Sequence, residues 1–274
     1  MFVILVCGSQ LSHGVKLDCE FIDVSYHLVG SLYSCEVTSL DNPHNNLTIE
    51  GYSGVHKANK NGADVKAIYI HGTNTKYIPT NLGSFSKLTA LRMRFTKLVE
   101  IKAKDFNGMQ NLEFLSFHNN KLSSVPLDAF ATLTKLKIIY LSENQIEELP
   151  NGIFKNNLKL EQIYLYENKI KYLGTEIFNH LEKLNYVDLG NNICVNKIYD
   201  GATEINQLRE DIKMKCKNSN EVSATTTTTT TTQNPMAEKL MLEKITKLEK
   251  ELREAKELLQ KNENALKKKT NCMR

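Results

Sequence analysis

Histidine and cysteine are the side chains best suited to hold a metal, move a proton near neutral pH or attack a carbonyl, and this 274-residue chain has seven of the first and six of the second. His13, His27, His44, His56, His71, His118 and His180 fall at no metal-ligand spacing, and HExxH, GxSxG and a glycine-rich phosphate loop do not occur. An enzyme, a bound metal and a cofactor are therefore not expected. CxxC is also missing, which removes the usual zinc and redox signatures. The cysteines sort by position into two pairs and two singletons. Cys19 with Cys35 lies near the front, Cys194 with Cys216 near the end of the patterned region, Cys7 in the first apolar run and Cys272 beside the C-terminus. The pairs read as staples without redox chemistry, each contributing ~3 kcal/mol by loop-closure entropy.

The elements that carry these residues start from ordinary globular usage, 41% apolar and 24% charged. The net charge of +4 is unevenly placed: residues 236–274 hold 11 Lys/Arg and 7 Asp/Glu, so the rest of the chain is balanced. A body without a dense basic stripe does not point to nucleic acid, and membrane attachment is unsupported. The run from Met1 to Cys7, followed by Gly8, Ser9, Ser12 and Gly14, reads as a secretory signal over residues 1–14. A truncated start is the alternative.

A repeat occupies the middle of the chain. Units begin at Val65, Leu88, Leu112, Leu136, Leu160 and Leu184, spaced by 23 and then four times by 24 residues. Each follows L-x-x-L-x-L-x-x-N-x-L, as in Leu112, Leu115, Phe117, Asn120, Leu122 and again in Leu136, Ile139, Leu141, Asn144, Ile146. The alternating middle of the unit has a strand's period, and the Asn can satisfy backbone groups at a tight bend. A second apolar set, Phe85, Phe106, Phe130, Phe154 and Phe178 with Met109, Leu133, Leu158 and Leu181 behind most of them, closes the core from the outer side.

Residues 65–193 resemble the extracellular, 24-residue type of leucine-rich repeat. The resemblance implies an α/β repeat solenoid: a leucine-rich repeat horseshoe of six units with a parallel sheet on its concave face. Thr73 and Thr96 stand where Asn is expected, which predicts looser bends in the first units. An open solenoid needs polar ends, and the cysteine pairs lie where caps belong, at 15–64 and 194–220. Ile205, Leu208 and Ile212 describe an amphipathic helix across the second end. Two cysteines per cap is similar to secreted insect members.

Strand side chains flanking the inward positions form three columns on the concave face. These are Ala67, Ala90, Phe114, Ile138, Gln162, Tyr186; then Tyr69, Arg92, Ser116, Tyr140, Tyr164, Asp188; then His71, Arg94, His118, Ser142, Tyr166, Gly190. Tyr and Arg are the types that make binding hot spots. The ligand-face candidates are therefore Tyr69, Arg92, Arg94, Phe114, His118, Tyr140, Tyr164, Tyr166, Tyr186 and Asp188. The competing reading is a face filled with residues that merely suit strands.

Asn46-Leu47-Thr48 is the one N-glycosylation sequence. Residues 221–235 form a linker with eight threonines, either an O-glycosylated stalk or an inert spacer. Over 236–270, Met241, Ile245, Leu248, Leu252, Ala255, Leu259, Asn262 and Leu266 keep the 4-3 spacing of a coiled-coil core. Lys244 with Glu249 and Glu251 with Lys256 would attract across a parallel homodimer, while Leu242 and Leu258 widen the stripe towards a heterodimer or larger bundle. A lone helix folding back on the solenoid is the third possibility. Cys272 is either an interchain disulfide or a free thiol on a frayed end.

Signal, two-cysteine caps, repeats, linker, coil and spare cysteine together resemble the mosquito leucine-rich repeat immune proteins. That resemblance implies a secreted, extracellular, non-enzymatic module that binds a protein partner, a complement-like thioester protein in that family, and dimerises through its coil. An adhesion or matrix protein would use the same parts.

Overall fold

The computed structural model describes residues 13–37, 39–42 and 47–216. Cys7, Asn46, the threonine run, the coil positions from Met241 to Leu266 and Cys272 lie outside the described residues.

In chain order the first strands are β1 (His13–Tyr26), β2 (Gly30–Val37), β3 (Asp41–Asn42), β4 (Leu47–Ser53), β5 (Ala67–His71), β6 (Asn74–Thr75) and β7 (Ala90–Arg94). They continue as β8 (Phe114–Ser116), β9 (Ile138–Tyr140), β10 (Glu148–Leu149), β11 (Gln162–Tyr164), β12 (Tyr172–Leu173), β13 (Tyr186–Asp188) and β14 (Ile198–Asp200), followed by α1 (Ala202–Lys215). Ten of these form one sheet in the order β14-β13-β11-β9-β8-β7-β5-β2-β1-β4. From β2 to β13 the pairing is parallel and in register, so Arg92, Ser116, Tyr140, Tyr164 and Asp188 stand side by side. The six sequence units therefore contribute one parallel strand each.

Beneath the sheet the unit leucines and isoleucines are fully buried, and Phe106, Phe130, Phe154 and Phe178 run along the far side with centroids 6.0 to 6.3 Å apart. One position departs from expectation. Leu158 is 56% exposed, and Asn157 fills the register position of Leu133 and Leu181 instead. Its Nδ2 donates to the carbonyls of Phe130 and Leu133, both at 2.9 Å, adding a second bond to oxygens that already accept from Leu133 N and Leu136 N.

The unit asparagines do what their position predicts. Asn144 Oδ1 accepts from Leu122 N at 2.9 Å, while its Nδ2 donates to the carbonyls of Phe117 and Leu141 at 2.9 and 3.0 Å. Asn168 and Asn192 repeat the pattern one and two units on. Each side chain thus ties two neighbouring units together through their backbones. Thr96 is too short to span that gap and hydroxyl-donates forward to Asn120 Oδ1 at 2.9 Å. The residue ahead of each of these positions, Gly72, Phe95, Asn119, Glu143, Glu167 and Asn191, holds a left-handed backbone with φ between 53° and 63°. Only the glycine does so without steric cost.

Both end pairs form disulfides, Cys19–Cys35 and Cys194–Cys216, each with Cα atoms 5.0 Å apart. α1 buries Ile205, Leu208 and Ile212 across the second end, with Tyr199 hydroxyl-donating to Asp211 at 2.6 Å. The first cap differs from a small loop ahead of the repeats. β1 and β2 form a long antiparallel hairpin, Cys19 opposite Val37 through Tyr26 opposite Gly30, and β2 continues the parallel sheet through Ser34–Val37 beside β5. Phe21, Tyr33, Tyr52 and His56 pack together at its base, with His56 stacked 3.9 Å from Phe21.

Candidate functional site

The hairpin is longer than the strands it joins. Residues 24–33 extend past the register with β5, and a two-stranded ribbon of that length twists strongly. Its tip comes down on the exposed face of the sheet. Tyr26 sits edge-on to Phe114 with centroids 5.1 Å apart, and His27 Nδ1 lies 3.3 Å from Gln162 Oε1. Tyr26, Leu32, Ala67, Ala90, Phe114 and Ile138 form a second small core, with Val24, Val29, Tyr140 and Tyr164 at its margin. Ala67 and Ala90 are small where the ribbon must cross closest to the sheet, and the larger Phe114 and Ile138 meet its tip.

From Ala67 to Gln162 the first column of the face is therefore a buried interface and not solvent-exposed surface, while Tyr186 at its end stays half-buried. Phe114, at 6% exposure, belongs to it, which corrects its place on an open face. The available signal was the alternation Ile22, Val24, Tyr26 followed by an apolar turn, Leu28-Val29-Gly30, that a hairpin ending in water would not favour.

Between the tip and the second and third columns lies a pocket of about 280 Å³. Arg92 and Arg94 enter it from β7, Ser116 and His118 from β8 and the segment after it, and Tyr140 and Tyr166 from the next two units. Ser25, Tyr26 and His27 roof it. The Arg92 guanidinium carbon lies 4.6 Å from the Tyr69 ring centre and 5.6 Å from that of Tyr26. Arg94 stands 5.5 Å from Phe95.

His118 is buried at 8% exposure and partnered on both sides. Its Nδ1 hydrogen-bonds with Ser142 Oγ at 3.0 Å, and its Nε2 lies 3.4 Å from Glu143 Oε1. Burial holds the imidazole below its ordinary pKa against the pull of Glu143, and Arg94 and Arg92 push the same way as burial. Ser142, His118 and Glu143 share the residue types of a nucleophilic triad, but Ser142 is fully buried and no substrate could reach its hydroxyl. His71 does not join them. It pairs with Glu36 at 2.9 Å, and Asp188 lies three strands from β8 in the sheet. Among the described residues no group of three or more His, Cys, Asp or Glu could hold a metal, and no helix is long and apolar enough to cross a membrane.

The other half of the face stays open. Tyr140 and Tyr164 stack at 4.0 Å with planes 6° apart, and Tyr186 continues the row at 4.9 Å. Tyr164, Tyr166, Tyr186 and Asp188 are all half-buried. Burial pushes the Tyr164, Tyr166 and Tyr186 phenols above their usual range, Asp188 adding to the shift on Tyr186, so these hydroxyls remain protonated donors near neutral pH. The face is thus cationic and roofed over β7, aromatic and open over β11 and β13.

Residues 86–146 and 134–193 match a family model described as leucine rich repeat. No curated protein matches the sequence. Among solved structures, the APL1 leucine-rich repeat domain superposes with a TM-score of 0.51 at 19% identity, covering 58% of this chain and 41% of that one. The Toll–Spatzle complex of Drosophila gives 0.39 at 20% identity, covering 54% and 27%, and the TLR13–ssRNA13 complex gives 0.44 at 23%, covering 54% and 22%. The chain spans less than half the length of these solved chains. The APL1 likeness is one of fold.

Proposed function

We propose that this chain is an extracellular recognition protein of the innate-immune type, which holds a protein partner against the open half of its sheet face. The row Tyr140, Tyr164, Tyr186 with Tyr166 and Asp188 carries this reading. Four partly exposed phenol rings locked side by side by a parallel ladder lose little freedom on binding, and Tyr is the residue type that most often anchors an interface. Two disulfides support an oxidising compartment. A secretory signal at 1–14 and glycosylation at Asn46 belong to the same reading. The coil core from Met241 to Leu266 would pair two such faces, as a homodimer or with a related chain, so that modest contacts add through high effective concentration. A complement-like protein is the partner that the resemblance to mosquito immune proteins implies.

Two experiments test the parts separately. Protein exported from cells is compared on reducing and non-reducing gels beside Cys272→Ser; a reducible dimer lost in the variant supports the coil, and monomer in both lanes removes the interchain bond. The partner is then captured from extracellular fluid of the source organism and purified. Its affinity for Tyr164→Ser/Tyr186→Ser should fall at least tenfold, or about 1.4 kcal/mol, while the exposed Leu158→Ser serves as control. Equal loss in both variants contradicts the assignment of the face.

A further inference from the structure

The pocket under the hairpin tip has a chemistry of its own, independent of whether the open half of the face holds a protein. Arg92 and Arg94 occupy alternate positions on one side of β7 and line the same cavity. The Nε of each is buried without a hydrogen-bond partner, and among the described residues neither guanidinium has a carboxylate within salt-bridge distance. Two like charges on one strand, partly withdrawn from water, repel each other. The rings beside them offer quadrupole attraction, and the Tyr26 and Tyr69 hydroxyls supply single acceptor oxygens, whereas a guanidinium fork is shaped for planar pairs of oxygens. Glu143, the acid beside His118, is already engaged by His118 Nε2 and by the Asn119 amide. Among the described residues nothing anionic lines the cavity.

The shape narrows the ligand. At about 280 Å³ the pocket lies at the lower end for small-ligand sites, room for one substituted ring and too little for a polymer. Tyr26, Phe114, Tyr140 and Tyr166 supply aromatic walls, while the Ser25 and Ser116 hydroxyls can donate. A carboxylate brings two oxygens, enough for one guanidinium fork. A phosphate or sulfate ester brings three, enough for two. We propose that the cavity between the hairpin tip and β7–β8 is a binding site for a phosphate or sulfate ester carried on a single ring, with Arg92 and Arg94 holding the oxyanion and the Tyr26 and Phe114 rings holding the ligand's ring.

Calorimetric titration of the full chain with phenyl phosphate, phenyl sulfate, phenol and inorganic phosphate tests it. One of the two esters is expected to bind saturably with one site per chain, and which is tighter identifies the headgroup. Phenol and inorganic phosphate should each bind at least tenfold more weakly, because each keeps one half of the recognition. Arg92→Gln and Arg94→Gln should each weaken the ester at least tenfold, whereas Lys97→Gln, an exposed cation on the neighbouring bend, leaves it unchanged. Arg92 packs on three rings, so its variant is checked by thermal melting. Should it unfold, amide-exchange mapping of the unmodified chain decides: protection by the ester must fall on residues 25–27, 92–94 and 114–118. Absence of saturable binding by both esters, inorganic phosphate binding as tightly as the esters, binding insensitive to Arg94→Gln, or protection elsewhere overturns the proposal.

Discussion

Tyr26→Ala removes the ring that fastens the hairpin tip to the sheet. That ring is 4% exposed, and an aromatic side chain buries roughly 150–250 Å², so its apolar contribution is about 4 kcal/mol at about 25 cal/mol per Å², an upper bound because the unfolded chain is already partly collapsed. The edge contact with Phe114 and the charge–ring contact with Arg92 add ~1 kcal/mol each. Leu32, Val24 and Val29 remain to hold the tip. The loss is local, since the tip can lift without unfolding the units beneath it. Because the area contribution is an upper bound, the low end of this sum sets the expectation: amide exchange over residues 24–32 should speed up by at least about a thousandfold, the factor equivalent to about 4 kcal/mol. The urea midpoint should shift far less than in Phe130→Ala, which opens a cavity in the main core. Unchanged exchange at the tip would show that Tyr26 does not dock it. A midpoint shift as large as that of Phe130→Ala would show that tip and solenoid unfold as one unit.

Three further outcomes follow from the same geometry. Asn144→Ala removes one accepted and two donated hydrogen bonds at a buried bend and should cost about 3–4 kcal/mol in chemical denaturation, against under about 1 kcal/mol for Asn151→Ala, an exposed residue in the same unit's outer loop that accepts one bond from Glu176 N. Glu167→Asn keeps a polar side chain where φ is 53° and relieves part of the left-handed strain, so it should raise stability by about 0.5–1 kcal/mol; a loss would mean that the Glu167 carboxylate is needed. His118 is held below its ordinary pKa, so the unfolded state takes up its proton first and stability falls as pH drops below the unfolded value of 6.5. His118→Gln should flatten that part of the stability–pH curve, while the fall at lower pH, where the depressed carboxyls of Asp64, Glu147 and Asp211 are protonated, remains.

Period and position made the repeats, both disulfides and α1 legible in the sequence, because each is a local pattern with one face that must be buried. The asparagine bends were legible for the same reason. What covered the sheet's other face was not, since Tyr26 and Phe114 are 88 positions apart and no periodicity links them. Ala67 and Ala90 stand in the first column with nothing nearby in the sequence to show that their size admits the ribbon. Leu158 reads as core because it is apolar, but it lies one position off the register of Leu133 and Leu181, where Asn157 is buried instead. The left-handed backbone at Phe95, Asn119, Glu143, Glu167 and Asn191 left no trace because three different residue types occupy it, with glycine used only at Gly72 in the first repeat.

Recognition on the open aromatic half of the sheet face is tested by amide-exchange footprinting of the purified partner complex. Protection is expected over residues 140–142, 164–166 and 186–190, weakened together with affinity in Tyr164→Ser/Tyr186→Ser. Protection confined to the outer-side segments around Phe130, Phe154 and Phe178, with the sheet face unchanged, would contradict it.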